Sequence, residues 1–104
     1  MILRPEGEQI ITTGTTSTIA TGIGRVIVNP TTTMASHTMT FPSIPNDRDD
    51  LYILFGGTLT GGTVITVLTI VSTIGIVGVL PTTAVAGLVL KYQYVASLNK
   101  FFQL

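Results

Sequence analysis

The chain has no cysteine, no tryptophan, a single histidine and only ten charged residues among 104. Without cysteine there is neither a disulfide nor a thiolate metal site. His37 alone leaves too few ligands for an ordinary zinc or iron centre. Five basic and five acidic residues cancel, so no electrostatic footprint for nucleic acid or an anionic membrane is present. Charged residues make up 10% of the chain, against a usual share of about 25%. A small isolated domain depends on a charged surface for solubility, so this one is expected to cover much of its surface against other chains. The helix formers alanine, glutamate, lysine and arginine are scarce.

What is abundant is β-branched. Threonine supplies 19 residues, isoleucine 12 and valine 10, types that favour strands over helices. Eleven glycines and five prolines cut the chain into short pieces. The composition predicts an all-β fold: a compact sandwich or barrel of about seven to nine short strands. Residues 1–13 are read as an extended N-terminal arm and residues 14–104 as the β-domain. The opening residues contain Arg4, Pro5, Glu6 and Glu8 rather than a basic stub and apolar core, so no signal peptide is expected.

Along the chain, residues 9–13 and 25–29 read as strands, with a Thr/Gly-rich stretch at 14–24 between them. Residues 36–41 alternate: His37, Met39 and Phe41 face one way, Ser36, Thr38 and Thr40 the other. Residues 42–50 (PSIPNDRDD) hold two prolines and four charges and read as an exposed loop. LYILF at 51–55 is a fully apolar strand. Residues 63–71 form the longest candidate, with Val64, Leu68 and Ile70 on one face and Ile65, Val67 and Val71 on the other. Because both faces are mostly apolar, both are expected to be covered. Residues 74–80 read as a strand loosened by glycines. Residues 87–95 place Leu88, Leu90, Tyr92 and Tyr94 on one side. A turn at 96–99 leads to a terminal strand.

The apolar stretch at 64–80 also invites a membrane-helix reading. Thr66, Thr69, Ser72 and Thr73 interrupt it, Gly75 and Gly78 sit near its end, and Pro81 closes it. No Lys or Arg flanks it to set an orientation, so a β reading is favoured and no membrane partner is expected.

Little chemistry is visible. Asp47, Asp49 and Asp50 surround Arg48 without EF-hand spacing, and a solvated turn explains them more simply than a Ca²⁺ site. His37 is read as a structural histidine. There is no G-x-S-x-G, no triad and no P-loop. Thr-x-Thr spacings at Thr31/Thr33, Thr38/Thr40 and Thr58/Thr60 share no regular repeat. They read as ordinary exposed strand positions rather than an ice-binding ladder. No cofactor, metal or enzymatic activity is expected.

The runs NDRDDLYILFGGTLTGGTVITVLTI (46–70) and PTTAVAGLVLKYQYVASLNKFFQL (81–104) resemble small β-modules of tailed-phage virion proteins. The shared order is a Pro/Asp turn, a strand ending in a glycine pair, a Thr/Val strand and a closing Y-x-Y…N-K-aromatic strand. The resemblance implies a virion location on the capsid surface or a tail appendage, and a homotrimer. A marginal, poorly charged β-domain points to association independently. The reading that follows is a non-enzymatic capsid decoration or cement protein, or a short head-fibre or spike protein. A chain starting at Met1 without a fibre shaft is expected to be such a separate small protein. The expected subunit interface is Leu51, Ile53, Phe55, Tyr92, Tyr94, Phe101 and Phe102. The expected capsid-anchoring arm is Ile2, Leu3, Arg4 and Pro5, gripping a neighbour such as the major capsid protein. The alternative is a receptor- or glycan-binding fibre tip using residues 42–50 and Tyr52 against a host surface glycan. A small membrane protein is a third reading.

Overall fold

The β-branched runs form ten strands, separated by Gly-, Pro- and Thr-rich turns, among the described residues, 7–46, 49–56 and 62–104, of a computed structural model. They are β1 (Gly7–Ile11), β2 (Thr16–Thr18), β3 (Ile23–Val28), β4 (Met34–Thr40), β5 (Asp50–Phe55), β6 (Thr63–Val71), β7 (Gly75–Val77), β8 (Ala84–Val85), β9 (Val89–Val95) and β10 (Lys100–Gln103). No described residue is helical. The count exceeds the expected seven to nine because β2 and β8, three and two residues long, are too short to show a periodicity of their own.

Two sheets result. One has six strands in the order β1-β3-β5-β9-β10-β7, the other four in the order β2-β4-β6-β8. From β1 to β6 the chain lays strands alternately on the two sheets. It thereby winds three turns of a coil, and successive turns pair in parallel: β1 with β3, β3 with β5, β2 with β4, β4 with β6. The pairing continues past the strand ends, where Asn29 N–H donates to Ile11 O (2.8 Å) and Gly56 N–H to Val28 O (3.0 Å). Each parallel connection passes through the opposite sheet, which supplies the long crossover that a parallel pair requires. The hairpin β9–β10 then closes the coil, pairing antiparallel with β5 through β9.

The strand period of two decides what is inside. Val26, Val28, Leu51, Ile53, Phe55, Leu90 and Tyr92 from the larger sheet meet Met39, Val64 and Leu68 from the smaller one in one core. Phe41, just beyond β4, sits at its aromatic centre. Its ring lies edge-on to Tyr92 (centroids 5.1 Å, 71°) and to Phe101 (5.2 Å, 78°). This contact ties the coil to the closing hairpin. The hairpin turn is fixed by Asn99, at φ 51° in the left-handed region, whose side-chain oxygen accepts from the Tyr94 hydroxyl at 2.8 Å. Gly78 has no room for a side chain. At φ 136° its Cβ would fall 2.5 Å from atoms of Gln103, the residue whose Oε1 accepts from Val79 N–H.

Two expectations change. The arm ends earlier than residue 13, because Gly7–Ile11 is an edge strand whose Ile11 enters the core. Ile2, Leu3, Arg4 and Pro5 lie outside the described residues. β6 is covered only in part: Val64, Ile65 and Leu68 are buried, so each face contributes to the core, but Val67 and Val71 are exposed. The stretch at 64–80 is divided between β6 and β7, and no helix among the described residues is long and apolar enough to cross a membrane.

Among the described residues one buried side-chain polar atom is unsatisfied. The Tyr92 hydroxyl has no hydrogen-bond partner, although the residue is fully buried. Burial pushes the phenol up from its ordinary value of 10.0. The neutral form is favoured by folding, so this contribution is fully present below pH 10.0 and is lost as pH rises through the higher folded value. Tyr92→Phe removes an orphan hydroxyl while keeping the ring. It is expected to leave stability unchanged or raise it by about 1 kcal/mol, and to flatten the fall in stability above pH 10.0. Urea titrations of both proteins at neutral and alkaline pH read the two effects.

Candidate functional site

The period of β5 and β9 settles the fate of the expected interface. Leu51, Ile53, Phe55, Tyr92, Tyr94 and Phe101 all point into the chain's own core, none more than 8% exposed. They are therefore unavailable to a partner, which corrects that assignment. Size and apolarity mark these residues in the sequence but do not fix the direction they face. In LYILF both faces are apolar, so the sequence does not say which of them turns inward. Phe102 alone of the seven lies on an outer face, half-buried.

What the outer face of the six-stranded sheet does present is ordered by register. Ile10, Ile27, Leu54 and Val89 stand side by side across β1, β3, β5 and β9. Ile10 and Val89 are 61% and 46% exposed, and Ile27 and Leu54 are half-buried. The next row is Glu8, Arg25, Tyr52 and Lys91. Arg25 pairs with Glu8, its Nε donating to the carboxylate at 2.7 Å. The Lys91 ammonium lies 5.7 Å from the centre of the Tyr52 ring. Beyond this, Asp50, Gln93, Phe102 and Val77 form a third row, with Gln93 Nε2 donating to Asp50 Oδ1 at 3.0 Å. An aliphatic band flanked by a charged and aromatic row has the anatomy of a protein–protein contact, apolar at its centre and polar at its rim. Ile10, Ile27 and Val89 escape a reading from sequence because each alternates with other apolar or neutral residues. Only the cross-strand register assembles them.

Among the described residues the only constellation with a catalytic look is Ser17 and His37. The Ser17 hydroxyl lies 2.8 Å from His37 Nε2, and His37 Nδ1 lies 3.0 Å from Gly14 O. A carbonyl only accepts, so Nδ1 carries a proton, and in the neutral ring Nε2 accepts from the serine. A serine, a base and an orienting group are thus in line. The surroundings point to an anchor instead. His37 is 1% exposed, and β2 and β4 turn both side chains into the interior. A Thr-rich cleft of about 320 Å³ opens nearby between the turns carrying Gly14 and Thr33, but neither Ser17 nor His37 lines it. His37 therefore pins the short β2 and the Gly14 turn onto β4, where Thr38 N–H also donates to Thr15 O at 2.8 Å. Gly14 adopts φ 104°, a conformation that favours glycine and that aims its carbonyl at the ring.

The comparisons with known proteins add no assignment. No family model, curated protein or solved structure matches this chain. The acidic loop is described only in part, since Asp47 and Arg48 lie outside the described residues. Of its remaining carboxylates, Asp49 accepts from Asn46 N–H at 2.9 Å, closing a turn, and Asp50 holds Gln93. Among the described residues no three His, Asp or Glu side chains cluster as metal ligands.

Proposed function

We propose that this chain is a non-enzymatic structural protein of a tailed-phage virion. It works as a homotrimer on the capsid surface or a tail appendage. The observation that carries the reading is the aliphatic band Ile10–Ile27–Leu54–Val89, presented on an outer face of a chain with only ten charges. The resemblance of residues 46–70 and 81–104 to small phage β-modules supports the setting. The inward turn of the expected aromatic interface moves the contact to the outer face of the six-stranded sheet. Each Å² of apolar surface removed there contributes about 25 cal/mol, offset by the cost of association. Glu8–Arg25 and Lys91–Tyr52 at the rim serve register and partner choice more than affinity. Ile2, Leu3, Arg4 and Pro5 precede the edge strand β1 and are the proposed grip on a neighbouring virion protein such as the major capsid protein.

Val89 is exposed, so Val89→Lys leaves the core untouched while placing a charge within the aliphatic band. It is expected to weaken self-association by about 10–100-fold. Val85→Lys, on the exposed side of the other sheet, is expected to leave it unchanged. A dilution series by analytical ultracentrifugation distinguishes them. Equal dissociation by both variants, or by neither, removes this face from the proposal.

A further inference from the structure

Successive turns of the coil stack their inward side chains in columns, and the first turn ends two of these columns differently. Register places Gln9 on Val26 and Val26 on Ile53. In the smaller sheet it places Ser17 on Met39 and Met39 on Ile70. Val26, Ile53 and Met39 are fully buried, and Ile70 packs against them. Where the second and third turns hold apolar side chains, the first therefore holds an amide and a hydroxyl, although its Ile11 and Ile19 still enter the core. Both polar groups are bonded. Gln9 Nε2 donates to Thr18 O at 3.2 Å, and the Ser17 hydroxyl lies 2.8 Å from His37 Nε2.

Gln9 stands at the end of both sheets. Among the described residues no strand pairs with the far side of β1 or of β2. Gly7 N–H and Ile11 O bond toward β3, and Thr15 O and Ile19 N–H toward β4. Alternation along each strand leaves the backbone groups of Glu8, Ile10, Thr16 and Thr18 on the open side. Such an edge is a template for another strand. At five residues β1 is the longest of the four edge strands; β2 and β7 have three and β8 two. The Gln9 side chain crosses from the larger sheet to the smaller, closes the end of the core between them and occupies one of the open carbonyls, Thr18 O.

Stacked repeats need a polar terminal unit, because an apolar end invites another copy to continue the stack. We propose that Gln9 is an autoinhibitory cap: it stops a second copy of this chain from docking its own first turn, end to end, on this one. A second copy is the matching occupant of an uncapped end. Two such ends related by a two-fold axis offer each other the same unpaired strand edges, β1 against β1 in antiparallel, and the same apolar column. The cap lies at the end of the coil rather than on the outer face of the larger sheet, so it holds whether or not copies meet on that face.

The test is sedimentation velocity of variants against wild type at matched protomer concentration. Gln9→Val continues the column of Val26 and Ile53 and releases Thr18 O. It is expected to reach about twice the wild-type mass or more. Gln9→Lys keeps a donor long enough for Thr18 O and adds a charge at the edge, so it is expected to keep the wild-type mass. Thr83→Val deletes another side-chain bond to a backbone carbonyl, that of Thr66, at the opposite end of the smaller sheet. It is also expected to keep the wild-type mass. Circular dichroism establishes which variants are folded, and Gln9→Ala, which adds no bulk, takes the place of Gln9→Val should that variant not fold. A wild-type mass for the folded uncapped variant, or an equal increase with Gln9→Lys or Thr83→Val, would overturn the proposal. So would failure of both Gln9→Val and Gln9→Ala to fold, which would make Gln9 a support of the fold itself.

Discussion

Replacing Phe41 by alanine is expected to cost about 4 kcal/mol, the largest effect of any single truncation in this fold. Phe41 is 1% exposed and its ring meets Tyr92 and Phe101 edge-on, so the change empties the centre of the core. Removing the ring also deletes two aromatic contacts worth about 1 kcal/mol each. The position joins the parallel coil, through β4, to the hairpin β9–β10, so both parts lose their common support. Domains of this size have about 5–15 kcal/mol of stability in total, and the variant is therefore expected to be partly unfolded at 37 °C. Phe41→Leu fills more of the space and is expected to lose about half as much. Chemical denaturation at a fixed protomer concentration gives both values, a precaution that self-association makes necessary.

His37→Ala is expected to rank second. The side chain is buried and holds Ser17 and Gly14 at 2.8 and 3.0 Å. Its loss opens a cavity and breaks the hydrogen bonds to Ser17 and to the Gly14 carbonyl, together costing about 3 kcal/mol. That corresponds to a fall in Tm of about 15 °C. Ser17→Ala removes one of the two bonds and is expected to cost about 1 kcal/mol. Hydrogen exchange should report the loss where the anchor acts, at Ile19 N–H and Thr38 N–H, which bond across β2 and β4. Uniform loosening of both sheets would instead mean that His37 supports the core as a whole.

The elements legible in the sequence were those whose pattern is local. Residues 36–41 alternate, and the structure buries His37, Met39 and Phe41 as that alternation requires. Residues 87–95 alternate, and Leu90, Tyr92 and Tyr94 are inside. The turn at 96–99 followed by a terminal strand is the β9–β10 hairpin. Pairing was not legible. Parallel coils bring together residues separated by irregular spans, and no turn residue announces the partner. The apolar strands β3 and β5 also have two plausible inward faces. Val26 and Val28, rather than Ile27, enter the core, and this follows only from the position of the opposite sheet. For the same reason the side chains expected at the interface fold into the core, and only register assembles the exposed rows.

The claim on which the functional account rests is that the chain completes itself with copies of itself, through the outer face of its six-stranded sheet. Sedimentation equilibrium at micromolar protomer concentration tests it directly. The account predicts a particle of three times the 11.0 kDa chain mass. A folded species of 11.0 kDa that does not grow with concentration would contradict it.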